Sequence, residues 1–136
     1  METVEPELLK TLAQKASTFS HSPFSKYPVG AALQTEDGTI YTGCNIESSS
    51  YGLTVCAERN AIASAIVNGH TKFRAMAVYS LNGATPCGAC RQVIWDLCGN
   101  IPIYIFDLSG HKKMYWTKDL LPNPFDDTKL EKNNNP

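Results

Sequence analysis

The sequence predicts an α/β fold, a three-layer α/β/α sandwich in which a mixed central sheet of about five strands is covered by helices on both faces. Three observations lead to this prediction. A β-hairpin pattern follows an amphipathic helix near the start of the chain. Helical and strand patterns then alternate, which favours a sheet with helices on both sides. The length of 136 residues fits a single domain over residues 1–136.

The first elements are a helix and a hairpin. Apolar residues recur at helical spacing over residues 5–19, which predicts one amphipathic helix. Two short β-rich runs, residues 29–35 and 39–45, are joined by Asp37-Gly38. An Asp-Gly pair between such runs is a strong hairpin signal. The Ser- and Pro-containing segment between helix and hairpin predicts a loop.

Helices and strands alternate after the hairpin. Residues 55–67 are good helix formers with an apolar stripe, and Gly69 fits the position of a C-terminal cap. A strand is predicted at 73–80. Pro86 is expected to open a helix that runs through Leu97, because proline is tolerated in a first helical turn. The remaining predicted elements are strands at 101–108 and 112–117, a short helix near 119–121 and a polar tail over about 127–136.

Charge and hydropathy exclude several classes of protein. The 12 Lys and Arg residues nearly balance the 13 Asp and Glu residues, so the net charge of −1 argues against a nucleic-acid partner. No apolar run approaches the roughly 18 residues that a membrane span needs. The first residues, METVEPELLK, are acidic and helical in pattern, unlike a secretory signal. We therefore expect a cytoplasmic protein without a membrane partner.

The number of cysteines is informative. An odd count of five, in a chain with no secretory pattern, is a poor match to a disulfide framework. In a reducing compartment, clustered cysteines more often indicate a metal site or catalysis. Cys44 and Cys98 lie near the ends of a strand and a helix without such neighbours, and packed, inert thiols are the better interpretation for both.

Two segments combine cysteine with charged residues at the start of a predicted helix. They are Thr-Val-Cys-Ala-Glu-Arg at 54–59 and Pro-Cys-Gly-Ala-Cys-Arg-Gln at 86–92. Cys87 and Cys90 are three positions apart, so one helical turn places both sulfurs on one side. By itself, a single CxxC fits a redox pair, half of a zinc ribbon or part of a catalytic zinc site.

Cys56 favours the catalytic interpretation. With Cys87 and Cys90 it makes three ligands, and three ligands leave one tetrahedral position open for water or substrate. Glu58 follows at a spacing of two, which does not share a helical face with Cys56, so its carboxylate would stand beside the metal as a general acid/base. Arg59 and Arg91 adjoin the ligand segments and are candidates to hydrogen-bond the thiolates.

Five segments together resemble the small, homotetrameric, zinc-dependent cytidine deaminases. They are YPVGAAL, YTGCNIE, CAER, PCGACRQ and DLLPNPF, in the same order and at compatible spacing within about residues 23–125. A Cys or His two residues before Glu, followed by Pro-Cys-x-x-Cys, is a known pattern of zinc deaminases. The resemblance implies one Zn²⁺ per subunit, a nucleoside substrate and hydrolysis of cytidine and 2′-deoxycytidine to the uridine forms with release of ammonia, as in pyrimidine salvage.

The resemblance also implies a role for each position that matches a family motif. Glu58 would be the proton shuttle. Asn45 and Glu47 would hold the ribose hydroxyls, and Tyr27 would pack on the pyrimidine ring, where the family commonly has Phe. The other matched residues are the zinc thiolates Cys56, Cys87 and Cys90, the base contact Ala57 and the pocket-closing aromatics Tyr51 and Phe125, which often act across a subunit boundary.

Departures and alternatives limit what the sequence predicts. Asn60 stands where Thr is usual after CAER, and the segment after Leu108 is less familiar. A deaminase of another cytosine compound, such as blasticidin S, would share the fold. A polynucleotide editor would need a basic groove. A non-enzymatic zinc module for protein interaction would need a fourth protein ligand.

Overall fold

The computed structural model describes residues 4–130. Its strands are β1 (Val29–Thr35), β2 (Ile40–Cys44), β3 (Phe73–Ser80), β4 (Pro102–Phe106) and β5 (Lys112–Trp116). Its helices are α1 (Pro6–Ser17), α2 (Ala57–Val67), α3 (Gly88–Cys98) and α4 (Thr117–Leu120), with 3₁₀ turns at Tyr51–Leu53 and Asp127–Lys129. These elements follow the predicted order.

The five strands form one mixed sheet in the order β2-β1-β3-β4-β5. The β1–β2 hairpin and the β1–β3 and β4–β5 pairs are antiparallel. The β3–β4 pair is parallel, with Met76 opposite Ile103, because α3 crosses over between the two strands. The predicted mixed sheet of about five strands is therefore confirmed.

Helices cover both faces of the sheet. On one face, Ala61 and Ile62 of α2 and Ile94 of α3 pack with Leu33 and Val78. On the opposite face, α1 packs through Leu9 and Ala13 in a second buried cluster. This arrangement confirms the three-layer sandwich. Within residues 4–130, no helix is long and apolar enough to cross a membrane.

Two glycines allow the helices to lie directly on the sheet. A Cβ at Gly30 would meet the carbonyl oxygen of Ala13 at 1.9 Å, inside the backbone of α1. A Cβ at Gly43 would meet the Ala57 oxygen and the Ala61 nitrogen at 2.5 Å, inside the backbone of α2. Gly43 therefore sets how closely the start of α2 approaches strand β2.

The helix boundaries differ from the prediction at the two cysteine motifs. The helices begin at Ala57 and Gly88, because Cys56 and Cys87 have extended backbone angles and occupy the N-cap positions. Pro86 therefore lies before α3 and does not open it. The end of the predicted polar tail, residues 131–136, lies outside the described residues.

Candidate active site

Three cysteine side chains meet at the N-terminal ends of α2 and α3. Cys56 and Cys87 are the N-cap residues of these helices, and Cys90 lies in the first turn of α3. Their three sulfurs lie within 4.8 Å of one another, and Cys56 Sγ is 4.0 Å from Cys87 Sγ. Thiolates bound tetrahedrally at about 2.3 Å from zinc are separated by about 3.8 Å, so the sulfurs are spaced for one ion.

Charge in this group favours a cation. The Cys90 thiol, followed by the Arg59 guanidinium and the Cys87 thiol, lowers the pKa of Cys56 to about 5. The hydrogen bond to Cys56 and burial raise the pKa of Cys90, because a second thiolate beside the first is disfavoured. A dication between the sulfurs removes that repulsion and lets all three coordinate as thiolates.

The chemistry of the donor set fits zinc with one open position. Thiolates are soft ligands that suit Zn²⁺, and structural zinc sites are closed by four protein ligands. Among residues 4–130, the cluster contains three candidate ligands, namely the three cysteines. Two helix N-termini also point at the group, and their partial positive charge stabilises the thiolates.

Glu58 lies beside the three cysteines at the floor of a pocket. It is the second residue of α2, its side chain lines the same pocket as Cys56 and Cys87, and the residue is only 4% exposed. Burial, together with the nearby charge of Cys56, raises the pKa of Glu58 to about 7. A buried carboxyl group in this position is placed to exchange protons with a bound molecule.

Arg59 contacts the thiol group as predicted from its position. Its Nη2 atom lies 3.8 Å from Cys56 Sγ and 3.4 Å from the carbonyl oxygen of Thr54. The guanidinium therefore links the first ligand to the loop that precedes α2. The predicted role of Arg59, hydrogen bonding to a metal thiolate, stays a prediction.

Arg91 differs from the prediction that it would hydrogen-bond a thiolate. Its guanidinium donates to the carbonyl oxygens of Pro86 at 2.7 Å and Leu120 at 3.0 Å, and to Thr85 Oγ1 at 2.8 Å. The side chain is long enough to pass the sulfurs and reach the backbone before Cys87. Arg91 thus supports the ligand segment through its backbone.

The pocket above the cysteines has a volume of about 270 Å³ in one chain. Small-molecule sites occupy about 300–1,000 Å³, so this pocket is close to the lower end of that range. It is bounded by the ends of strands β1 and β3, the start of α2 and the loops that precede α2 and α3. The lining residues named by the sequence analysis are Tyr27, Asn45, Glu47, Cys56, Ala57, Glu58 and Cys87.

Glu47 is fixed at one wall of the pocket by the loop before β1. Its Oε1 atom accepts hydrogen bonds from the backbone nitrogens of Phe24 at 2.9 Å and Ser25 at 3.1 Å. Its Oε2 atom accepts from Ser25 Oγ. These hydrogen bonds lower the pKa of Glu47, and the bond from the Ser25 hydroxyl contributes most. The group is therefore a carboxylate that can accept further hydrogen bonds.

Asn45 lies on the same wall and uses much of its amide group internally. Its Oδ1 atom accepts from the Val29 nitrogen at 3.0 Å and from the Ser20 hydroxyl, and its Nδ2 atom donates to the Tyr27 carbonyl oxygen at 2.8 Å. One N–H of the amide is left for a ligand. Asn45 therefore also ties the loop before β1 to the sheet.

Tyr51 and Phe125 are not among the residues that line the pocket of their own chain. Tyr51 is 73% exposed, and its ring meets that of Phe24 in a T-shaped contact. Phe125 is 57% exposed, and its carbonyl oxygen accepts from Gln92 Nε2 of α3. Both aromatic side chains are accessible to a neighbouring molecule.

Several pocket residues escape sequence reasoning. Ser25 is the partner of Glu47, but the two are far apart in the chain and no local pattern pairs them. Ser80, which lines the pocket, and Asn82, beside it, both contact the Tyr27 hydroxyl, and they too are far from Tyr27 in the chain. Thr85 lies in a segment that reads as an ordinary Gly- and Pro-containing loop. In the sequence, the only indication of these contacts is the hydroxyl of Tyr27, which a partly buried tyrosine usually hydrogen-bonds.

The two cysteines outside the site are partly buried thiols. Cys98 ends α3 and packs against the core on that face of the sheet, and burial raises its pKa to about 12. Cys44 ends β2, and burial also raises its pKa. Both are free thiols. A raised pKa makes a thiol less reactive, which agrees with the predicted structural role.

Comparison with known proteins identifies relatives along most of the chain. Residues 4–104 match the family model described as "Cytidine and deoxycytidylate deaminase zinc-binding region". The chain is 46% identical over 125 residues to the cytidine deaminase of Sporosarcina psychrophila, covering 90% of this chain and 92% of the relative. It is 38% identical over 125 residues to that of Halalkalibacterium halodurans, covering 90% of this chain and 95% of the relative.

Solved structures with the same fold include two cytidine deaminases. The Burkholderia pseudomallei structure superposes with a TM-score of 0.87 at 38% identity, over 90% of this chain and 100% of that one. The Mycobacterium tuberculosis structure has a TM-score of 0.80 at 34% identity, over 90% of this chain and 98% of that one. The similarity in sequence and in structure thus extends well beyond the cysteine motifs.

Proposed function

The chain belongs to the cytidine and deoxycytidylate deaminase zinc-binding family, and we propose that it hydrolyses cytidine and 2′-deoxycytidine to uridine and 2′-deoxyuridine with release of ammonia. The observation that carries this proposal is a group of three cysteine sulfurs within 4.8 Å of one another, two of which, Cys56 and Cys87, line the same pocket as the buried carboxyl group of Glu58. The three sulfurs leave one tetrahedral position open, as a catalytic zinc site requires.

Glu58 moves protons in the proposed reaction. Zinc, when bound by the three cysteines, supplies an activated water, since coordination lowers the pKa of water to about 7. The Glu58 carboxylate would accept a proton from that water and deliver it to ring N3, which makes C4 electrophilic and lets the water oxygen form a bond to C4. Glu58 would then take the second proton of that oxygen and deliver it to the amino group, so that the C4–N bond breaks, ammonia leaves and the oxygen remains as the C4 carbonyl.

The walls of the pocket recognise a nucleoside. The Glu47 carboxylate is ionised and keeps acceptor capacity on Oε2, which suits the hydroxyl groups of a ribose. Asn45 offers its remaining amide N–H beside it. The Tyr27 ring lines the same pocket and packs on the pyrimidine, and the backbone of Ala57 contacts the base. A carboxylate in this wall disfavours a 5′-phosphate or a polynucleotide, in keeping with the net charge of −1.

The same proposal includes assembly and location. We propose a cytoplasmic homotetramer that acts in pyrimidine salvage. Its support is the resemblance to the small homotetrameric type, the accessible side chains of Tyr51 and Phe125 and a pocket of only about 270 Å³ in the isolated chain. In such an assembly the two aromatic residues close the pocket of a neighbouring subunit.

A substrate panel tests the proposed activity. The zinc-loaded protein is assayed for ammonia release on cytidine, 2′-deoxycytidine, blasticidin S and a single-stranded oligonucleotide that contains cytosine. We expect turnover of the two nucleosides and little of the other two compounds. Faster turnover of blasticidin S or of the oligonucleotide would assign the site to another deaminase, and bound zinc without ammonia from any compound would indicate a non-enzymatic zinc module.

A further inference from the structure

The Tyr27 hydroxyl links the loop before β1 to the end of the neighbouring strand β3. Its ring belongs to the loop before β1, the same loop that binds Glu47. Its Oη atom lies 2.9 Å from Ser80 Oγ at the end of β3 and is hydrogen-bonded to Asn82 Oδ1 two residues further on. Ser80 is 2% exposed, so its contact with Tyr27 is partly buried, whereas Asn82 lies at the surface.

These groups form a directed chain of hydrogen bonds. The carbonyl oxygen of Asn82 can only accept, so it takes the single hydroxyl proton of Tyr27. The hydroxyl proton of Ser80 then goes to Tyr27 Oη, which leaves Ser80 Oγ free to accept the backbone N–H of Ala84 at 3.2 Å. Every donor and acceptor in the chain is thereby matched, and linked hydrogen bonds of this kind strengthen one another.

The chain of hydrogen bonds ends in a loop that contributes several residues to the pocket lining. Residues 81–87 connect β3 to α3, and from this loop Ala84, Thr85 and Cys87 line the pocket. Arg91 fixes the far end of the loop through the Pro86 carbonyl oxygen and Thr85 Oγ1. The near end is tied to Tyr27 through Ser80 and Asn82.

We propose that the Tyr27 hydroxyl is a positioning group that acts through Ser80 and Asn82 to fix the 81–87 loop relative to the loop before β1 before a nucleoside binds. This inference rests on the proposed function, since it concerns the width of the same pocket. A loop that is ordered in advance lowers the entropy cost of binding, so its loss weakens substrate affinity more than the chemical step. This role concerns only the hydroxyl of Tyr27 and is separate from the proposed packing of its ring on the pyrimidine.

Four single variants test the proposal, each measured for KM and kcat on cytidine, for zinc content and for the Kd of uridine. Tyr27→Phe keeps the aromatic ring and removes the hydroxyl that binds Ser80 and Asn82. Asn82→Leu removes the amide oxygen that accepts from this hydroxyl. For both we expect KM and Kd to rise about three- to tenfold, in keeping with one lost hydrogen bond, while kcat stays within about twofold and zinc remains at one per chain. Asn82→Asp keeps an acceptor oxygen and is expected to stay near the wild-type values.

The matched control is Tyr104→Phe, which removes a tyrosine hydroxyl beside the α1 cluster on the opposite face of the sheet and should change neither KM nor Kd. The double variant Tyr27→Phe/Asn82→Leu should be no worse than the poorer single variant, because both remove the same contact. Unchanged KM and Kd in Tyr27→Phe, additive losses in the double variant, or a fall in kcat alone would overturn the proposal. A wild-type protein that is inactive on cytidine would instead overturn the proposed function.

Discussion

At the scale of single residues, the candidate site depends on a few side chains at the starts of α2 and α3. Local spacing relates Cys87 to Cys90 at the start of α3 and Cys56 to Glu58 at the start of α2, and the structure brings the two pairs together. The hydrogen-bond partners of Arg91 could not be predicted. They are backbone carbonyl oxygens, and those of Pro86 and Leu120 come close to the guanidinium only when the loops fold. The roles assigned to the individual site residues stay predictions.

Glu58 provides a direct test at this scale. The variant Glu58→Gln keeps the shape of the side chain but removes the ionisable group, so we expect kcat on cytidine to fall by about 10²–10⁴ or more. The zinc content should stay at one per chain, because Glu58 is not among the three sulfur ligands. Metal analysis and steady-state kinetics measure both quantities. Substantial remaining turnover would contradict the proton-shuttle role.

Glu47 tests recognition of the sugar. Removal of its carboxylate in Glu47→Ala should raise the KM for cytidine by about tenfold or more, since hydrogen bonds to a charged group contribute roughly 1.5–3 kcal/mol. Ser25→Ala should act in the same direction with a smaller effect, because the two backbone nitrogens still bind Glu47. Zinc content is the control in both variants. An unchanged KM in Glu47→Ala would remove this residue from the sugar site.

At the scale of elements, the order of helices and strands could be predicted but their first residues could not. The turn at Asp37-Gly38 and the alternation after it gave the hairpin and the mixed sheet. The prediction placed Cys56 and Pro86 inside helices, whereas the structure makes Cys56 and Cys87 the N-caps. Helix-forming propensity does not predict which residue becomes the N-cap. Here both N-cap cysteines have an extended backbone, and their sulfurs lie 4.0 Å apart.

A substitution at Gly43 tests whether the close packing of α2 on strand β2 positions the metal ligands. A methyl group in Gly43→Ala would overlap the backbone of α2, so we expect a loss of about 1–3 kcal/mol in the free energy of unfolding and weaker zinc binding. Gly52→Ala is the matched control, since a Cβ there meets nothing within 4 Å. Denaturant unfolding and zinc titration measure the two effects. Equal stability of the two variants would contradict the close approach.

At the scale of the whole molecule, the fold predicted from alternating patterns agrees with solved cytidine deaminases over 90% of the chain. The three-layer arrangement places the carboxyl end of β3 and the starts of α2 and α3 at one edge of the sheet, where the pocket lies. The positions of Tyr51 and Phe125 outside their own pocket could not be predicted, because the docking of the segment that follows α4 depends on tertiary contacts with α3.

Phe125 tests the proposed assembly. If its exposed ring closes a neighbouring pocket, Phe125→Ala should raise the KM for cytidine several-fold and leave the zinc content unchanged, in a protein that sediments as a tetramer. Leu108→Ala is the control, because Leu108 is also exposed but lies between β4 and β5. Sedimentation and kinetics are measured on the same samples. A wild-type monomer with full activity would contradict the need for a neighbouring subunit.

We propose above that the protein deaminates a nucleoside with one zinc ion bound by three cysteine thiolates and with Glu58 transferring the protons. The most direct measurement is ammonia release from cytidine by metal-free protein as zinc is added stepwise. We expect turnover to rise in proportion to bound zinc, to reach a plateau at one zinc per chain and to yield one uridine for each ammonia. Turnover that is independent of zinc, or one bound zinc per chain without ammonia, would contradict this proposal.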